Sequence, residues 1–418
     1  MRGFSGSSRY SGSSRCTVRA LIALVTVAAV ASCSSAHPAP AGERLLPAVT
    51  PDAGLTNGMV IKGAFAGRVI APNGTLPLAN ALVYFAPAAP PPLPDVAYCD
   101  DCVAVTNGSY AISGPDGSFE IPNVPPSAAW LVVQKGLFRR VRELRSLPGA
   151  EGSFGGARGV PNDALTLPGK SDPAKGDHVP TMAVLFDDAM YDRIDLSLRK
   201  LGFTGFEVKQ DRTLLSDAAA LMRYQIVFVP CGAQDDPATI DPAVQANLKS
   251  FVSAGGRLYV TDWSYEFVHQ PFAGYLSWEK ESAVLGSAAQ GEWAGAADAV
   301  DPGLRAWLAA TGNPTFQVAG NWTNIRSVSS QPGLDPKGNA TIITPKVWVT
   351  GATPLGVRPT TVSFEDRCGR VLFSTYHTEG DGASTALLAQ EKALLHVLLE
   401  VGVCVGAGGD AGQEPGVR

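Results

Sequence analysis

An antiparallel β-sandwich followed by an open, doubly wound α/β sheet is the fold that this sequence predicts. Over 58–147, short β-branched and aromatic runs recur between turn signals, as in a sandwich. From 179 onward, buried apolar runs alternate with stretches of helical spacing, as in a sheet wound by helices. Between them, 148–178 is rich in Gly, Pro and Asp without periodicity and reads as a linker.

Composition narrows the function classes. The 418 residues are 45% hydrophobic and only 17% charged, which is material for two or three cored domains. With 33 basic against 38 acidic residues, the chain lacks the positive field that drives nucleic-acid binding.

Residues 1–33 read as an export signal. Arg2, Arg9, Arg15 and Arg19 give a positive leader, and the apolar run 20–31 is too short to span a bilayer. Val30-Ala31-Ser32-Cys33 resembles the lipobox of bacterial lipoproteins. The resemblance implies a diacylated Cys33 at the mature N-terminus, and Ser34 in place of Asp implies sorting to the outer membrane. Acyl chains anchor without a transmembrane helix. The Ala-, Pro- and Gly-rich 34–57 then serves as a flexible tether.

Within 58–147, the runs IKGAFAGRVIAP, LANALVYFAP, GSYAISG, GSFEIPNV, AWLVVQKG and FRRVREL are the strands, with Asn73-Gly74 and Asp116-Gly117 at tight turns. GRV, ANALVYF and GPDGSFEIPNVP resemble the carboxypeptidase regulatory-like (transthyretin-like) domain, which implies a non-catalytic spacer, adhesion or carbohydrate-binding module. Cys99 and Cys102 form a C-x-x-C pair followed by a strand rather than the helix of a redox motif, so a loop disulfide is expected. Lys135, Arg139, Arg140, Arg142 and Arg145 make a basic strand, read as a solvated edge or a contact for anionic envelope polymers.

In 179–405, MAVLFD is a buried strand, and Tyr191, Ile194, Leu198 and Leu201 follow at helical spacing. FEVKQ and QIVFVP repeat the unit. Asp241-Pro242 opens a helix with Val244, Leu248, Phe251 and Val252 on one face, stopped by Gly255-Gly256, and RLYVTD is the next strand. Ligands of such sheets gather beyond the carboxyl ends of the strands.

MAVLFDD, YQIVFVPCG, LKSFVSAGGRLYVTDWSYEF and GRVLFSTYHTE in that order resemble the class I glutamine amidotransferase-like superfamily, including its trehalose-utilisation-like members. The resemblance covers about 180–275 and 360–404 and implies a flavodoxin-like sheet. It also implies a nucleophilic cysteine on a sharp turn after RLYVT and a His-x-Glu pair on a later strand. His377-Thr378-Glu379 fits the pair, whereas Asp262 stands at the elbow, followed by Trp263-Ser264. A His beside a carboxylate has no strong nucleophile to activate, so amidotransferase chemistry is not expected.

The candidate site residues are therefore His377, Glu379, Asp262 and Cys231, the last following a strand at its carboxyl end. Ser264 is weaker because G-x-S-x-G is absent. Asp187, Asp188, Asp235, Asp236, Glu266, Asp381 and His269 also fall near the rim and read as a solvated acidic rim rather than a site for a hard cation. No metal or other cofactor is expected. Strand topology places Cys368 and Cys404 together at the opposite end of the sheet, predicting a disulfide between them. The insertion 279–345 is the least readable part, with a helix expected over 302–309; Trp322, Trp348 and Tyr275 bring aromatic surface near the rim, and 406–418 reads as a disordered tail. The expectation is a lipoprotein anchored in the outer membrane, with a non-catalytic binding or structural role towards carbohydrate or envelope polymer. The alternative is a hydrolase or isomerase of unknown substrate using His377 with Asp262, Cys231 or a bound metal.

Overall fold

The computed structural model describes residues 58–61, 64–100, 103–105, 110–122, 124–125, 127–146, 158–160, 162–186, 191–232, 239–281, 284–379, 386–399 and 405–406. The leader with Cys33, the tether, Cys102, Cys404, Asp187, Asp188, Asp235, Asp236, Asp381 and 407–418 lie outside the described residues.

Five parallel strands form the heart of a nine-stranded mixed sheet. In chain order they are Met182–Leu185, Phe206–Lys209, Ile226–Val229, Arg257–Thr261 and Gly369–Ser374. Across the sheet the second precedes the first, and the third, fourth and fifth follow, which is the flavodoxin-like order 2-1-3-4-5. The strand order reverses between Met182–Leu185 and Ile226–Val229, which places a crevice beyond their carboxyl ends.

Alternation along each strand explains why these runs are apolar throughout. Met182, Val184, Ile226, Phe228, Tyr259 and Leu372 join one buried cluster with the helices Ile194–Lys200 and Ala389–Leu399. Ala183, Leu185, Val227, Val229, Leu258, Val260 and Phe373 join another with the helix Pro242–Ser253. Both faces are covered, so neither can be polar. The helix Pro242–Ser253 starts as expected: Asp241 Oδ1 accepts the Ala243 amide at 2.7 Å, and Pro242 occupies the first turn.

Four more strands, two from the insertion and two from 346–366, extend this sheet. Gly356–Asp366, Lys346–Thr353, Ala289–Ala299 and Phe316–Thr323 add in that order beyond Gly369–Ser374, each antiparallel to its neighbour. Trp348 is core rather than rim surface, with its indole N–H donated to Ser363 Oγ at 2.8 Å. Tyr275 is also buried, its ring stacked on Phe364 at 4.1 Å.

The N-terminal residues form two antiparallel sheets of four and five strands. Phe65, Val83, Phe85, Phe119, Ile121, Leu131, Val133 and Phe138 lie in one buried cluster. Two pieces of 148–178 are built into these sheets: Arg158–Val160 pairs with Gly58–Ile61, and Asp177–His178 pairs with Phe138–Glu143. The second pairing changes the reading of the basic strand. Asp177 takes ion pairs from Arg140 at 2.9 Å and Arg142 at 2.8 Å, Arg139 donates to the Pro91 carbonyl, and Lys135 is buried. These four side chains are therefore engaged within the fold, because the edge they would have formed is covered, while Arg145 lies beyond the strand and is exposed.

The N-terminal sheets and the α/β sheet share the first cluster. Phe138 and Phe203 approach with ring centroids 4.9 Å apart, and Trp307 Nε1 donates to the Pro77 carbonyl at 2.8 Å.

The disulfide joins Cys99 to Cys368, correcting both expected pairings, Cys99 with Cys102 and Cys368 with Cys404. Cys368 does lie at the end of the sheet opposite the rim, in the turn between Gly356–Asp366 and Gly369–Ser374. Its partner arrives from the N-terminal part because 95–99 passes along this edge: Ala97 N donates to the Met222 carbonyl, and Tyr98 lies against Gly255. Gly255 has φ +109°, and a Cβ there would stand 1.8 Å from the Tyr98 carbonyl oxygen, so only glycine admits this crossing. Val405–Gly406 pairs with Val103–Ala104, so Gly406 belongs to a strand and not to the tail.

Candidate functional site

Three strand ends deliver the site. Cys231 follows Ile226–Val229, Asp262 follows Arg257–Thr261 and His377 follows Gly369–Ser374, so one side chain comes from each of three neighbouring strands. Cys231 Sγ, an Asp262 carboxylate oxygen and a His377 ring nitrogen all lie within 4.8 Å of one another. The residues are 2%, 0% and 6% exposed, so this is an interior cluster at the rim.

Asp262 occupies a sharp elbow. Its φ is +44°, a left-handed conformation that a non-glycine residue adopts only when surrounding bonds hold it. Those bonds are visible. Oδ1 accepts the Thr323 amide at 2.8 Å, the Thr323 hydroxyl at 2.8 Å and the Trp322 amide at 3.0 Å. Oδ2 faces His377 Nε2 at 3.5 Å. The elbow side chain thus ties the strand Phe316–Thr323 of the insertion to the core of the sheet.

His377 is pinned through its backbone. Its amide donates to the Gly320 carbonyl at 3.2 Å, and its carbonyl accepts Gln390 Nε2 at 2.6 Å. Burial alone would lower its pKa. The neighbouring Asp262 carboxylate and Cys231, with the charge of Asp192, overcome this and raise it to about 11. The Cys231 thiol is pushed up, chiefly by burial, against the lowering influence of His377. A protonated thiol beside an imidazolium has neither a nucleophile nor a base ready.

Next to the cluster lies Asp192, on which the sequence places no site. It is fully buried, accepting the Thr261 hydroxyl at 2.8 Å and the Thr378 amide at 2.8 Å. Thr261 Oγ1 in turn accepts the Cys231 amide at 2.9 Å, so Asp192 steadies all three strand ends. Its only sequence signal is an acid placed just after the first strand of the sheet.

Glu379 is within this region but outside the three-residue cluster. Burial, followed by the charge of Asp192, raises its pKa to about 7 against the pull of Lys200 and Arg193. Ser264 is engaged elsewhere: its hydroxyl donates to the Pro230 carbonyl at 2.7 Å and accepts from Arg212 at 3.1 Å. Glu266 and His269 are not part of a solvated rim. His269 bridges Glu266 at 3.0 Å and Glu281 at 2.8 Å, and the Glu266 carboxylate also takes the Gly286 amide, so this group holds the entry of the insertion. Half-buried at the rim, the Trp263 and Trp322 rings lie 5.5 Å apart.

No protein-family model and no curated protein matches the chain. Among solved structures, it is similar to a putative ThuA-like protein from Bacteroides uniformis at 12% identity, covering 52% of this chain and 89% of that one with a TM-score of 0.34. A cytoplasmic protein from Salmonella typhimurium matches at 13% identity over 53% of this chain and 98% of that one, with a TM-score of 0.33. A GH42 beta-galactosidase catalytic mutant from G. stearothermophilus matches at 13% identity over 54% of this chain, with a TM-score of 0.31; the match spans only 30% of the galactosidase. The fold class rests on the strand order of the sheet itself.

Proposed function

We propose that this protein is an extracytoplasmic lipoprotein, anchored through Cys33, with a non-catalytic binding or structural role at the cell envelope. Its N-terminal sheets act as a carboxypeptidase regulatory-like module, and its α/β part is an amidotransferase-like domain without the elbow cysteine. The observation that carries this reading is the elbow itself. Asp262 stands where the nucleophile would, and its carboxylate is taken up by Trp322, Thr323 and His377. The Cys99–Cys368 disulfide supports an oxidising compartment. Among the described residues, no helix is long and apolar enough to cross a membrane.

Trp263 and Trp322 supply the contact surface, because paired, partly exposed indoles suit the apolar faces of sugar rings. Retention of the purified full chain on insoluble envelope polysaccharide tests this. Trp322→Ala is expected to weaken retention by about tenfold; wild-type protein that is not retained, or a variant retained equally well, contradicts it. Cys33→Ala is expected to move the protein out of the membrane fraction, and persistence there contradicts the anchor.

A hydrolase or isomerase at the same rim is the second reading. It is favoured by the proximity of Cys231 to His377, with Asp262 alongside. Turnover abolished by His377→Ala in an otherwise folded protein would establish it in place of the first.

A further inference from the structure

We propose that Cys231, Asp262 and His377 form a three-ligand site for a divalent cation of the zinc class. The donor set is one sulfur, one imidazole nitrogen and one carboxylate oxygen, all within 4.8 Å of one another. A tetrahedral cation with bonds of about 2.0–2.3 Å holds such atoms about 3.3–3.8 Å apart, so closure asks only for small side-chain adjustments. A thiolate with an imidazole selects zinc over magnesium or calcium, which take oxygen alone.

An independent observation points into the same space. His377 Nε2 makes no hydrogen bond, although the residue is only 6% exposed. The polar groups beside it include two that a cation would share: Asp262 Oδ2 lies 3.5 Å away, and Cys231 completes the cluster. A buried ring nitrogen without a bond carries a desolvation cost that a metal would remove.

The supporting residues are already in place. Asp262 Oδ1 is fixed by Thr323 and the Trp322 amide, which also reaches Oδ2 at 3.1 Å, and Oδ2 faces His377. The Cys231 amide is held by Thr261 Oγ1, whose hydroxyl is held by Asp192. Both backbone groups of His377 are bonded. Metal ligands are oriented in this way by the groups behind them. Binding replaces the thiol proton and any proton on the ligating ring nitrogen, so each cation bound releases them to solvent and affinity rises with pH. Three protein ligands leave a fourth position for water or a small donor. The site goes beyond the envelope-binding role and does not depend on it.

The test uses the full-length exported protein, stripped with a chelator and titrated with Zn2+ and with Co2+. The expected result is about one equivalent of zinc retained through gel filtration, and a cobalt complex with thiolate-to-metal charge-transfer absorption. Cys231→Ser and His377→Ala are each expected to weaken binding by at least about tenfold, and Cys231→Ser to abolish the charge-transfer band. Where His377→Ala unfolds the chain, the wild-type cobalt spectrum and Cys231→Ser decide alone. Absence of retained zinc, absence of the band in the wild type, or a band unchanged in Cys231→Ser overturns the proposal.

Discussion

Replacing Asp262 by Ala removes the elbow side chain while leaving the left-handed backbone. The Thr323 amide, the Thr323 hydroxyl and the Trp322 amide lose their acceptor, and buried His377 loses the carboxylate 3.5 Å away. Breaking one side of a buried charged pair costs about 3–5 kcal/mol, and the orphaned amides belong to that same loss. Against a total stability of about 5–15 kcal/mol this is a large fraction. Urea unfolding followed by tryptophan fluorescence reads it as a lower midpoint at unchanged slope. Asp262→Gly separates backbone from side chain: glycine accepts φ +44° freely, so it should recover about 1 kcal/mol of the alanine loss. A loss under about 1 kcal/mol for Asp262→Ala would show that the carboxylate does not tie the insertion to the sheet.

Three further outcomes follow from the geometry. Peptide mapping without reduction should recover Cys99 linked to Cys368, and Cys368→Ser should destabilise by up to about 5–6 kcal/mol given the separation of 269 residues; free thiols at both positions would refute the pairing. Gly255→Ala should cost about 2 kcal/mol or more in thermal or urea unfolding, since the added Cβ meets the Tyr98 carbonyl oxygen at 1.8 Å; a neutral effect would contradict the crossing of 95–99 beneath the sheet. His269 has a pKa raised chiefly by its hydrogen bond to Glu266, with Glu281 adding to it. Its folded pKa exceeds its unfolded value, so its contribution is present below about pH 6.5 and is lost as pH rises through the folded value. Stability measured at pH 5.5 and pH 9 should therefore fall less in His269→Gln than in the wild type, and identical falls would refute the assignment.

The α/β core was legible because buried parallel strands must be apolar on both faces, which leaves continuous runs such as 182–186 and 226–229. Strand ends were legible for the same reason, so Asp262, His377 and Cys231 could each be placed at the rim. That Cys231 meets the other two was not legible, because only the sheet order makes their three strands neighbours. In the insertion the helix near 302–309 was legible, but the strands were hidden by composition. Ala289–Ala299 is made largely of small residues and pairs with register shifts, so neither β-propensity nor alternation marks it. The partner of Cys368 was missed for a different reason. Topology fixed which end of the sheet Cys368 occupies, but it carries no information about a proline-rich loop arriving from another part of the chain.

In the proposed reading, the rim holds a buried structural cluster rather than an activated nucleophile. The most direct measurement is the rate at which iodoacetamide alkylates Cys231 in the folded, metal-stripped protein near neutral pH, with the site identified by peptide mass. A buried thiol whose pKa is raised should react at least about tenfold more slowly than a free cysteine peptide. Alkylation of Cys231 faster than that peptide, suppressed by His377→Ala, would contradict the account and establish a working cysteine–histidine pair.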